Sequence, residues 1–483
     1  MLYSLLTTIV QRLLEAFEFP PGSALPILIG ATTFIIALIG LVQLYRLRPS
    51  SSRGSSFFAK VDSVLQRLDI RIILALALLL RLGWVLVGRV KPDVDFLVYD
   101  QRAMDVLSKK YWMEPSLPIG ASIIFAIHYY FFGHDFRIPL VTIALVSTIQ
   151  VWLVYDIVIN VTKSRGAASL GAFLLAIWPE HYLYVNLLGS DVLYSGFLLV
   201  SLWLWSKGHD CAGIWMFSVN FLCGVALGVS HWIRQTSPVF MLVILISLIA
   251  QSTHRWKDRV LAGLAFAIGI LLVITPIVYF NLTNLDILSI NAAQSFGWNV
   301  LVGTNQESKG RYNTQDLHRL DQELQRRPPI LGEHSLLAWN RVAKEMGLKR
   351  IAENPVQFVK LVLWNKIPIL WGSSAHLGWS FASKKWRWAY PEVENWASYW
   401  HWLMLFLAAL SAFALARSPR LTQDWTVMSI YGLAVLLFAG VHLLVEVQPR
   451  YHHLFLPFLV LLIGQGWWLC TNREELLSES LGQ

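Results

Sequence analysis

The residues best suited to chemistry lie in three short segments. The first, Lys91-Pro92-Asp93-Val94-Asp95-Phe96-Leu97-Val98-Tyr99-Asp100, places three carboxylates directly after an apolar run. Pro92 stiffens the exit from that run and keeps Asp93 and Asp95 close to its end. The second, Gly189-Ser190-Asp191, is a tight turn between two further apolar runs. The third is a set of cations beside apolar segments: Arg234 in Arg-Gln-Thr-Ser-Pro, Arg450 in Gln-Pro-Arg-Tyr-His-His, and Lys366. If these segments meet, Asp95 and Asp191 supply two carboxylates, one able to act as general base and the other to orient an acceptor or a metal ion. A guanidinium fork fits phosphate oxygens bidentately. Each feature also has a plainer use: Asp191 can cap the helix beginning at Val192, and the cations can reach towards lipid headgroups.

The elements that must carry these residues are transmembrane helices. Of 483 residues, 55% are hydrophobic, 13% aromatic and only 14% charged, with a mean hydropathy of +0.52. Soluble domains carry roughly 25% charged residues, and several apolar runs here reach the ~20 residues needed to cross a hydrocarbon core. The composition therefore predicts an all-α, polytopic transmembrane bundle. Spans fall at about 24–45, 71–90, 138–160, 166–185, 192–206, 213–232, 237–251, 260–280, 399–416, 425–446 and 452–470, about eleven in all.

Six basic residues between the first two runs (Arg46, Arg48, Arg53, Lys60, Arg67, Arg71) put that segment inside, because cytoplasmic loops retain Lys and Arg. The three chemical segments then share the outer face. Four regions follow: 1–70, an amphipathic N-terminal helix, an extra span and a basic loop; 71–280, a core with an outer loop at 91–137; 281–398, a long outer loop with juxtamembrane helices; and 399–483, the last spans and a short tail. Within the outer loops, Ile119 to Phe132, about 333 to 352 and Phe358 to Trp371 read as helices lying at the interface.

Several function classes are excluded. Walker, dinucleotide, His-Glu-x-x-His and G-x-S-x-G motifs are absent. The net charge of +9 forms no stripe of basic and aromatic residues, so nucleic acid is not a partner, whereas membrane lipids are. Three cysteines, Cys211, Cys223 and Cys470, fit neither a metal motif nor a disulfide framework. The His452-His453 pair has no matching ligand spacing and reads as an interfacial pair, so metal dependence stays open.

In order and placement, the segments resemble the GT-C superfamily of polytopic glycosyltransferases, in the branch of protein O-mannosyltransferases and lipid A aminoarabinose transferases. That branch typically reads Asp-Glu-x-x-Tyr-x-x-x-Ala in its first outer loop; Asp95, Tyr99 and Ala103 match, while Phe96 replaces the glutamate, a position for which Asp93 or Asp100 can compensate. Glu114-Pro115-Ser116-Leu117-Pro118 loosely resembles the Tyr-Pro-Pro stretch that follows. Ser190-Asp191 is similar to its Ser-Glu turn, and Gly228 through Arg234 to Thr236 to its Gly-Leu-x-x-x-x-Arg-Pro-Thr, with Gln235 replacing proline. Gly297-Trp298-Asn299-Val300-Leu301-Val302-Gly303-Thr304-Asn305 resembles its Gly-Tyr-Asn segment, and Pro449-Arg450-Tyr451 with Leu456-Pro457 its Pro-Arg-Tyr…Leu-Pro.

The resemblance implies a polyprenyl- or dolichyl-phosphate-linked sugar as donor, with Asp95 as the base that deprotonates an acceptor hydroxyl and the anomeric carbon inverted. It implies that Arg234, Arg450 and Lys366 stabilise the departing lipid phosphate and that Asp191 completes the acidic wall. The 281–398 loop would cover the site. Asp93, Tyr99, Asp100, Gly303, Asn305 and Tyr451 are the further substrate-contact candidates. The acceptor, whether protein, lipid or glycan, is not specified. An O-antigen polymerase or ligase type of enzyme is the alternative, and a lipid or saccharide transporter a weaker one, since transport predicts inverted repeats and midspan charge pairs. The expected location is a prokaryotic inner membrane, with the site on its outer face.

Overall fold

The computed structural model describes residues 53–471, except 89, 109–116, 209–210, 251–254, 328–329, 331, 374–376, 383–386 and 417–424. The expected N-terminal amphipathic helix, the span at 24–45 and Glu114 to Ser116 lie outside the described residues.

The described residues form helices and no strand. In chain order the principal ones are α1 (Arg53–Arg67), α2 (Ile70–Gly88), α3 (Asp95–Leu107), α4 (Gly120–Phe132), α5 (Arg137–Thr162), α6 (Arg165–Ile177), α7 (Asp191–Gly208), α8 (Gly213–Ile233), α9 (Ser237–Ala250), α10 (Trp256–Leu285), α11 (Phe296–Gly303), α12 (Thr314–Arg326), α13 (Ser335–Glu353), α14 (Pro355–Leu361), α15 (Tyr390–Ala416), α16 (Trp425–Leu444) and α17 (Leu456–Thr471). Six helical segments, Ile70–Gly88, Arg137–Thr162, Gly213–Ile233, Trp256–Leu285, Arg387–Ala416 and Pro449–Thr471, are long and apolar enough to cross a membrane; Gly120–Phe132, Arg165–Ile177, Ser237–Ile249 and Gly432–Leu444 are apolar but shorter.

Two expectations need correction. The segment after the first described span is not a loop through Asp100, because α3 begins at Asp95, one residue after Val94 turns the chain at φ 50°. The span expected at 166–185 stops at Ile177. Trp178 precedes Pro179 and is extended (φ −64°, ψ 117°), as the proline ring requires of its predecessor; the chain restarts in a short turn, Pro179–Leu183. That break leaves carbonyls at the end of α6 without helical partners. Arg81 of α2, fully buried, donates to two of them, Leu175 O at 3.3 Å and Ala176 O at 3.1 Å, and to Ser147 Oγ at 2.7 Å. Arg81 thus departs from the expectation that ionisable groups gather at one face: it lies inside an apolar helix and caps another.

Helices α8 and α10 touch backbone to backbone. A Cβ on Gly224 would run into the Phe266 carbonyl, and one on Gly269 into that of Phe221. Small residues at a helix contact are the means of close approach where lipid removes the hydrophobic drive. The outer segment packs separately around Leu301, Leu320, Val342 and Ala343, with Trp298 stacked on Trp339 at 5.5 Å. Its helix α12, not foreseen in the polar stretch, starts where the Asn313 side chain accepts the Asp316 amide at 2.8 Å.

Candidate active site

Four of the predicted residues sit at helix ends that the fold gathers together. Asp95 opens α3 and Asp191 opens α7, Arg234 directly follows α8, and Arg450 stands in the 3₁₀ turn Pro449–Phe455 that leads into α17. Each carboxylate meets one guanidinium. Arg450 donates to Asp95 Oδ2, and Arg234 donates to Asp191 Oδ1 at 2.5 Å while its Nε reaches Ser190 Oγ at 3.2 Å. One ring joins the two pairs: Tyr451 lies 5.6 Å from the Arg234 guanidinium and 5.8 Å from that of Arg450. Trp379 covers Arg450 from another side at 5.2 Å and meets Phe96 edge-on.

The two pairs differ in access, and that difference assigns roles. The Asp191 side chain is 2% exposed and that of Asp95 is 37% exposed. Asp191 sits at a helix N-terminus, where the helix dipole favours an anion, and its turn is tied down because Tyr99 donates its hydroxyl to Ser190 Oγ at 3.0 Å. Of the two carboxylates, Asp95 is the one an incoming hydroxyl can reach. On the cationic side, the buried Nε of Arg450 has no hydrogen-bond partner among the described residues; an orphaned guanidinium N–H beside an ion pair suits an anion brought by a ligand.

The remaining candidates separate. Tyr99 lies in the site, its phenol held protonated by burial. Asp93 is exposed and accepts the Val94 amide at 2.8 Å. Asp100 faces away, accepting the Tyr129 hydroxyl at 2.5 Å with His134 Nε2 at 3.2 Å, so neither stands in for the missing glutamate at Phe96. Lys366 is fully buried and donates to the Gly303 and Val445 carbonyls at 2.9 and 2.6 Å; burial pushes its ammonium down to about 7. Gly303 packs where any Cβ would strike the Val445–Glu446 backbone. Asn305 gives its amide to Asp316 Oδ2 at 2.8 Å, and Arg350 pairs with the same carboxylate. Lys366 and Gly303 thus tie the outer segment to the chain after α16, and Asn305 braces that segment internally, so none of the three reaches Arg234 or Arg450. Two residues were not legible as site members. Trp379 lies in the Trp-rich outer stretch with nothing to single it out, and Glu446, buried and held towards its neutral form by that burial, is a lone acid between valines. Tyr451 brings its hydroxyl to 3.5 Å from Glu446.

As a metal cradle the site fits poorly, since both aspartates are already matched by arginines. As a place for an anion with a hydroxyl beside it, it fits well.

Residues 116–280, about a third of the chain, match the family described as dolichyl-phosphate-mannose-protein mannosyltransferase. No curated protein matches the sequence. Among solved structures, the apo oligosaccharyltransferase of Archaeoglobus fulgidus aligns with a TM-score of 0.48 at 13% identity, over 85% of this chain and 51% of that one, so the chain spans about half of that protein's length. ArnT from Cupriavidus metallidurans, in a structure bound to undecaprenyl phosphate, aligns with a TM-score of 0.40 at 14% identity, over 82% of this chain and 77% of that one. The family match bears out the resemblance to the GT-C superfamily. The long apolar helices mark the chain as an integral membrane protein.

Proposed function

We propose that the protein is a membrane glycosyltransferase that transfers a sugar from a polyprenyl-phosphate-linked donor to an acceptor hydroxyl, on the extracytoplasmic face and with inversion. The observation that carries the reading is the joining of two aspartate–arginine pairs through the ring of Tyr451. The lipid phosphate enters beside Arg450 and Arg234. Its charge replaces part of what the aspartates supply in the resting pairs, which frees Asp95 for the acceptor. Asp95 accepts the hydroxyl proton as the oxygen attacks the anomeric carbon, the C–O bond to phosphate breaks, and the leaving anion is stabilised by the two guanidiniums. Asp191 keeps Arg234 aimed. Facing water and the outer leaflet follows from the basic segment before α2, which positive-inside bias keeps in the cytoplasm.

The test is mass spectrometry of lipid extracts from cells lacking the protein. Accumulation of one polyprenyl-phosphate sugar, relieved by the wild-type chain and not by an Asp95→Asn chain present at the same level, supports the reading. An unchanged lipid profile overturns it.

A further inference from the structure

A second cluster lies apart from the two aspartate–arginine pairs. Glu180, in the turn after α6, meets His401 of α15 and His452 of the turn that carries Arg450, and all three are fully buried. Their facing atoms are close: His452 Nε2 is 3.1 Å from Glu180 Oε1 and His401 Nδ1 is 3.3 Å from Glu180 Oε2. The other nitrogen of each ring points at a backbone carbonyl, His452 Nδ1 at Leu370 O (2.7 Å) and His401 Nε2 at Trp371 O (3.2 Å). A carbonyl only accepts, so those nitrogens carry the protons. In the neutral rings, the nitrogens turned to Glu180 therefore offer lone pairs to a carboxylate that also offers lone pairs. One protonated ring would balance the charge and still leave the other ring's lone pair facing the carboxylate, and two would leave an excess positive charge in a dry pocket.

We propose that Glu180, His401 and His452 bind a divalent first-row transition metal, zinc above others. Two imidazoles and one carboxylate are a recurrent zinc donor set, and with bonds of about 2.0–2.1 Å the edge of a tetrahedron is about 3.3 Å, close to the two nitrogen–oxygen spacings, with all the ligand atoms within 4.8 Å of one another. Backbone carbonyls on the far nitrogens are the usual outer support of metal-bound histidines, and the Trp178 indole adds a hydrogen bond to Glu180 Oε2 at 3.1 Å. All three residues are fully buried, which gives the site a structural rather than a catalytic role. It ties the Pro179–Leu183 turn and α15 to the segment holding Arg450, two residues before His452, and makes this trio a positioning device for that arginine.

The test is metal analysis of the intact protein purified in lipid nanodiscs from zinc-supplemented cells, a readout independent of any transferase activity. The expected result is about one zinc per chain. Zinc should be withdrawn by 1,10-phenanthroline with a fall in melting temperature, and replaced by cobalt with the visible absorption of a tetrahedral thiolate-free site. Glu180→Gln and His401→Asn should each lower the metal content about tenfold or more. Should those variants fail to fold, the wild-type measurement still decides. Well-folded wild-type protein with only trace metal, and a melting temperature indifferent to added zinc, overturns the proposal and leaves ring protonation as the balance of Glu180.

Discussion

Two clusters of ionisable groups sit a few residues apart on the same 3₁₀ turn, and they are built to opposite rules. Around Arg450 each carboxylate has a guanidinium, one of the carboxylates is open to its surroundings, and one guanidinium N–H has no partner among the described residues. Around His452 every group is sealed, and each imidazole is oriented by a main-chain carbonyl. Ion pairs that are partly open can exchange partners when a charged substrate arrives. Groups sealed at 0% exposure and oriented from behind can only hold something, or hold one another. Exposure and spare hydrogen-bonding capacity, more than residue type, separate the part that reacts from the part that positions.

Breaking the comparison on its reactive side has the largest expected effect. Asp95→Asn removes the base and leaves a neutral side chain of the same shape that can still accept a hydrogen bond from Arg450, so donor turnover should fall by about 10³-fold or more with the protein still folded. Arg234→Ala tests the buried half of the cluster. It strands Asp191, a carboxylate 2% exposed, and unpairing a buried charge costs about 3–5 kcal/mol; thermal unfolding should show that loss, and a smaller one for Asp95→Asn, whose amide oxygen still accepts from Arg450. Arg450→Lys keeps the charge but not the fork, and should reduce turnover about ten- to a hundredfold through donor affinity, read as a rise in KM.

A further, pH-dependent effect concerns Lys366, which belongs to neither cluster. Its folded value of about 7 lies below its ordinary 10.5, so between those values the unfolded chain binds the extra proton. Stability should therefore rise with pH from about 7 to 10, by at most about 1.4 kcal/mol per pH unit. Melting curves of Lys366→Met across that range should lack the slope.

Much of the reactive cluster could be read from one dimension because each member stands beside an apolar run. Charges at the ends of membrane helices are conspicuous, and four of them, Asp95, Asp191, Arg234 and Arg450, come together in space. The positioning cluster could not be read this way. Glu180, His401 and His452 are separated by 221 and 51 residues, and nothing in local spacing joins them; the fold does so by packing the turn after α6 against α15 and the Arg450 turn. Pro179 does mark the break that frees that turn, yet the apolar residues on either side read as one span. Arg81 was hidden for a related reason, since a single arginine in an apolar helix does not announce which orphaned carbonyls it will meet. Gly303 and Lys366 meet the Val445–Glu446 backbone and Asn305 bonds Asp316, contacts that their motif-like setting does not hint at.

Receipt of the lipid phosphate by the Arg450 cluster is the central point to measure. Native mass spectrometry of the purified protein with undecaprenyl phosphate, repeated for Arg450→Ala and Asp95→Asn, measures this without any acceptor. Binding by wild type and by Asp95→Asn, with about a hundredfold weakening in Arg450→Ala, is the predicted result. Equal binding by all three proteins would contradict it.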